Sequence, residues 1–105
     1  MFPKGGMGGL YKQAQQMKKK MSQVQSEIDA LEIEGESGGG MVKVVVSGKK
    51  TLISVDVNPE VMKEDKEMLE DLILIATNNA IQKVDDISKE KMASITGGMN
   101  VPGLF

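Results

Sequence analysis

Between Leu10 and Leu31 the apolar residues fall at Leu10, Ala14, Met17, Met21, Val24, Ile28 and Leu31, in alternating steps of four and three without a break. A stripe repeating twice per heptad is narrow, and it suits a helix lying along one other helix rather than one sunk in a core. At ~1.5 Å per residue the stretch predicts a rod of about 33 Å, longer than a small domain can cover. Between the stripe residues stand Lys12, Gln13, Gln15, Gln16, Lys18, Lys19, Lys20, Ser22, Gln23 and Gln25, and no acid precedes Glu27. Any fold must accommodate a long helix that is greasy on a thin seam and basic elsewhere.

The rest of the chain is acidic. Residues 1–26 carry five lysines and no acid, whereas the remainder carries eight lysines against all fifteen acids, so charges of +5 and −7 sit at opposite ends of a chain whose net charge is −2. Every basic residue is Lys. Lys is a point charge without the planar fork that reads guanine edges, so contacts with nucleic acid should favour phosphate over base.

At 105 residues the chain predicts a single domain, 1–105, with flexible tails at 1–9 and 98–105. Phe2, Tyr11 and Phe105 are its only aromatic residues, so core volume must come from Val, Ile, Leu and nine Met. A small chain of this kind often completes its core with a second copy. Cysteine and histidine are absent, which removes disulfides, thiolate nucleophiles, imidazole bases and the usual zinc ligands. No catalytic constellation, metal site, cofactor site or small-molecule substrate is expected. The first residues lack the apolar core of a signal peptide, and no apolar run approaches ~18 residues, so a soluble, cytoplasmic protein without a membrane span is expected.

After Leu31 the period changes from helical to alternating. Ile33 and the acids Glu32, Glu34 and Glu36 describe a short strand with one charged face, suited to a sheet edge. Gly38-Gly39-Gly40 marks a turn, Met41 to Ser47 a second strand, Gly48-Lys49 a hairpin and Lys50 to Val57 a third strand with Ile53, Val55 and Val57 facing one way. Asn58-Pro59 has the chemistry of a cap followed by a first helical residue, with one turn at Val61-Met62. Asp65 then reads as the N-cap of a helix running from Lys66 to about Thr96, stopped by Gly97-Gly98 and with a kink expected at Asp85-Asp86. Met68 to Ala76 is apolar over a wide arc; beyond it the stripe thins to Ala80, Ile81, Val84, Ile87, Met92 and Ile95. The reading is α+β: a long N-terminal helix, a three-stranded antiparallel meander and a long C-terminal helix. Leu72 to Ala76 cover the sheet, while the thinned half pairs with the first helix as a projecting arm. Spare apolar residues at Leu72 to Ile75 point to a two-fold homodimer with two arms.

Lys18-Lys19-Lys20, with Lys12 and Lys4, admits three readings: a solvated helix face, an arm for duplex phosphates, or a helix lying on a membrane. The narrow seam without Trp or Phe fits a membrane surface least. Gly48-Lys49-Lys50-Thr51 resembles the end of a phosphate loop, but Lys43 stands where that motif needs Gly and a strand follows, so it is a hairpin turn. Glu64, Asp65, Glu67, Glu70 and Asp71 lack calcium-loop spacing and are explained by a helix start.

Four blocks span nearly the whole chain: Lys12-Gln13-Ala14-Gln15-Gln16-Met17, Gly35-Glu36-Ser37-Gly38-Gly39-Gly40-Met41-Val42-Lys43-Val44, Asp65-Lys66-Glu67-Met68-Leu69-Glu70-Asp71-Leu72 and Lys89-Glu90-Lys91-Met92. Together they resemble the YbaB/EbfC family of bacterial nucleoid-associated proteins. The resemblance implies a tweezer-shaped homodimer in the cytoplasm and nucleoid. It also implies double-stranded DNA bound with low sequence preference, and a role in chromosome organisation or gene regulation rather than catalysis. From charge and position, the candidate DNA-binding residues are Lys12, Lys18, Lys19 and Lys20 on the first helix and Lys83, Lys89 and Lys91 on the last. Acids at Glu32, Glu34, Glu36, Glu64, Asp65 and Glu67 would repel DNA from the base and turn it toward the arms. The alternative from another class is a coiled-coil-like interaction module, whose seam docks a partner helix without touching DNA.

Overall fold

The computed structural model describes residues 4–96. Helix α1 spans Lys4–Asp29, strands β1, β2 and β3 span Glu32–Ser37, Val42–Ser47 and Leu52–Val57, and helix α2 spans Lys66–Thr96. Short 3₁₀ turns occupy Gly38–Gly40 and Pro59–Lys63. The sheet is antiparallel in the order β1-β2-β3. The predicted order of elements and the α+β class are those observed, and the molecule is elongated, with extents of 75 × 22 × 16 Å.

Alternation builds the base. Val42, Val44 and Val46 turn one face of β2 inward and are fully buried against Ala76 and Ala80 of α2, with Leu72, Ile73, Ile81 and Val57 packed around them. Small alanines let the helix lie close to the sheet, and Gly35 of β1 allows the closest approach. A Cβ at Gly35 would run into the Ala76 carbonyl oxygen and come 2.6 Å from the Ala80 nitrogen. The glycine turn after β1 holds φ of +60°, +67° and +93° at Gly38, Gly39 and Gly40, a left-handed path that side-chain-bearing residues resist.

Both caps read from the sequence are present. Asn58 Oδ1 accepts from the Glu60 N–H at 2.9 Å, and Asp65 Oδ1 accepts from the Met68 N–H at 2.8 Å. The helix boundaries differ at α1. It begins at Lys4 rather than Leu10, its backbone staying helical through Gly5, Gly6, Gly8 and Gly9 although each glycine costs about 1 kcal/mol relative to Ala. It ends at Asp29, where the Leu31 N–H donates to the Ile28 carbonyl. No kink interrupts α2, which runs unbroken through Asp85 and Asp86: Asp86 accepts from Gln82 at 3.0 Å and Asp85 pairs with Lys50 at 2.6 Å. The stop at Gly97-Gly98 and the tail from 98 lie outside the described residues.

The third strand departs most from the sequence reading. A register shift at Val45/Val46 sets Leu52 opposite Val46, so Leu52 rather than Ile53 shares the inward face with Val55 and Val57. Because α2 crosses β1 and β2, that face stays open at this strand: Leu52 and Val55 are exposed. On α2, Leu74 and Ile75 are 59% and 48% exposed.

Candidate nucleic-acid interface

The second half of α2 and α1 form the expected arm. Burial along the α1 seam falls steadily with distance from the sheet: Ile28 is 2% exposed, Val24, Met21 and Met17 are half-buried, and Ala14 and Leu10 are exposed. The base end is anchored by Val84, fully buried, and by the β2–β3 turn. Gly48 donates its N–H to the Leu31 carbonyl at 3.0 Å and lies so close to α1 that a Cβ would overlap the Ile28 carbonyl. The far end is the more basic.

Lys12, Lys18, Lys19 and Lys20 are all exposed, and none makes an ion pair within the described residues. Helical geometry spreads the triplet, since consecutive residues project about 100° apart. Lys12 and Lys19, seven residues apart, share one outer ridge at a spacing of about 10 Å, while Lys18 and Lys20 flank it. The result is a cationic sleeve around the solvent side of α1, interleaved with exposed Gln13, Gln15, Gln16 and Gln23. Amides of this kind donate hydrogen bonds without adding charge.

The three α2 lysines are placed differently. Lys83 Nζ donates to the Glu34 carbonyl at 3.0 Å and fastens α2 to the edge strand. Lys91 Nζ stands 3.7 Å from Glu27 Oε2 and crosses the arm to α1. Lys89 is exposed and makes no ion pair within the described residues. Because Lys91 is level with Glu27, this group lies about 10 Å along the arm from Lys20, toward the base. The structure thus brings Lys12, Lys18, Lys19 and Lys20 together on one rod, leaves Lys89 below them, and gives Lys83 and Lys91 partners within the chain. Contacts between residues 49 apart, as in Lys83 and Glu34, have no periodic signature in a sequence.

Acids collect at the other end. Glu32, Glu34 and Glu36 are exposed along β1, with Glu36 opposite Lys43 and Lys43 opposite Asp56 across the outer face of the sheet. Glu64, Asp65 and Glu67 are exposed at the start of α2. Among the described residues no helix is long and apolar enough to cross a membrane.

The molecule is a compact α/β base bearing a two-helix arm, cationic at its far end and acidic at its foot. The comparison with known proteins is specific: residues 4–99 match the YbaB/EbfC DNA-binding family, and the chain belongs to that family. Membership puts it among nucleoid-associated DNA-binding proteins. The fold is similar to the crystal structure of uncharacterized protein HP0035 from Helicobacter pylori. The match has a TM-score of 0.70 and 26% identity over 92% of this chain and all (100%) of that one.

Proposed function

We propose that this protein binds duplex DNA as a homodimer, straddling it between two basic arms and holding it through phosphates with little sequence preference. The observation that carries the reading is the unpaired, exposed set Lys12, Lys18, Lys19 and Lys20 on a rod held away from the acidic base. Each ammonium near a phosphate displaces a condensed counterion, which gives affinity without reading bases. With no Arg in the chain, bidentate recognition of guanine has no donor of the right shape. Repulsion from Glu32, Glu34, Glu36, Glu64, Asp65 and Glu67 turns the duplex toward the arm tips. Lys89 extends the cationic track; Lys83 and Lys91 add field more than direct contacts.

The second copy is supported by the open apolar face of β3 and by exposed Leu74 and Ile75, which together would leave hydrophobic surface in water on a lone chain. Two copies related by a two-fold axis cover each other's face and carry two arms. A protein of this kind acts in the cytoplasm on the nucleoid, in chromosome organisation or gene regulation.

The test is a salt series of binding measurements on unrelated duplexes. With about four phosphate contacts per protomer, log affinity should fall against log salt with a slope near −7, at about −0.9 per contact, and similarly for each sequence. A flat response, or strong preference for one duplex, overturns the reading.

A further inference from the structure

Tyr11 is the one aromatic side chain among the described residues, and it stands on the cationic arm rather than in the core. It is 68% exposed, and the adjoining Leu10 is 65% exposed. An aromatic ring gains more from burial than most side chains, so one left in water on a charged rod is a surface without its partner. Helical spacing sets its neighbours. Gln15 and Lys18 follow at steps of four and three and share the ridge of Tyr11, while Lys12 is next around the helix. All three are exposed, and neither lysine makes an ion pair within the described residues. A flat ring is thereby framed by two ammonium groups and an amide within about 10 Å along the rod.

Building on the phosphate grip proposed above, we infer that Tyr11 is a base-stacking residue, so that the arm favours DNA with a gap or single-stranded junction over intact duplex. Ammonium groups hold the backbone and leave an aromatic face unused. A base uses it, and since every base has a π-face the contact tolerates any sequence, as the lysines do. In intact duplex each base face is covered by its neighbours, and only base edges are open in the grooves. Where a base is already unpaired, the cost of freeing its face is least. Lys12 and Lys18 then hold phosphates beside the stacked base, and Gln15 offers its edge both a donor and an acceptor. Leu10 adds apolar surface beside the ring.

The chain has a single Tyr, so fluorotyrosine incorporated in the full-length protein reports on this ring alone. Two synthetic duplexes of one sequence serve as probes, one intact and one with a short single-stranded gap. The parent should bind the gapped duplex about 5- to 150-fold more tightly, the range that one stacked base supplies. Its fluorine resonance should move upfield on the gapped duplex and stay in place on the intact one. Tyr11→Phe should keep the preference, and Tyr11→Ala should bind both duplexes as the parent binds the intact one. Equal binding by the parent, a preference that survives Tyr11→Ala, or a fluorine signal unmoved by the gapped duplex overturns the inference. The salt slope on intact duplex judges the phosphate grip separately, so either can fail while the other stands.

Discussion

Gly35 and Ala80 meet where α2 crosses the edge strand, so close that a single added carbon on Gly35 would lie 2.7 Å from the Ala80 Cβ. The base of the molecule depends on this contact, since it sets how near the helix comes to Val42, Val44 and Val46. Gly35→Ala should destabilise the protein by about 1–3 kcal/mol, the usual cost of overpacking, with an unchanged denaturant slope. Urea unfolding followed by circular dichroism checks it.

Removing the charge from the far arm should weaken DNA binding without touching the fold. Lys18→Gln, Lys19→Gln and Lys20→Gln together delete three exposed ammonium groups that make no ion pair within the described residues. The salt slope should become shallower by about 2.7 per protomer, at ~0.9 for each lost contact, with thermal stability unaltered. Fluorescence anisotropy across a salt series measures the slope. Unchanged binding would favour the interaction module, whose seam docks a partner helix without touching DNA.

The cross-arm pair of Lys91 and Glu27 tells in the opposite direction. Both side chains are substantially exposed, so Glu27→Gln should change stability by well under ~1 kcal/mol. The same substitution removes a negative charge from the arm and releases Lys91, so DNA affinity at fixed salt should rise. A fall in affinity would assign Glu27 a positioning role.

Leu74 and Val55 offer the dimer test. Both are exposed, and neither belongs to the buried valine cluster. On the proposed dimer, the parent should show twice the 11.3 kDa chain mass by light scattering, and Leu74→Asp with Val55→Lys should leave a folded chain at the single-chain mass. Its DNA affinity should fall sharply, because two arms on one duplex bind at high effective concentration and one arm does not.

Asp65 closes the first turn of α2 through its bond to the Met68 N–H. Asp65→Ala should cost about 1 kcal/mol, and Asp65→Asn much less, since the amide oxygen still accepts. Thermal melts of the two variants side by side distinguish them.

Much of this molecule was legible in its residues because the governing interactions are local. The heptad spacing from Leu10 to Leu31, the alternation of Val42, Val44 and Val46, and the caps at Asn58 and Asp65 each act over a few residues, and each produced the element expected of it. Charge segregation also needs no coordinates, because it is a sum over positions. What only the tertiary structure decided are relationships between distant segments. A register shift at Val45/Val46 set which β3 residues face inward, and the path of α2 over β1 and β2 left that strand open. The same packing gave Lys83 to the Glu34 carbonyl and Lys91 to Glu27, while Lys12, Lys18, Lys19 and Lys20 kept their charge for solvent. Local propensity and patterning are written residue by residue; which cation remains without a partner depends on where a chain many residues away comes to rest.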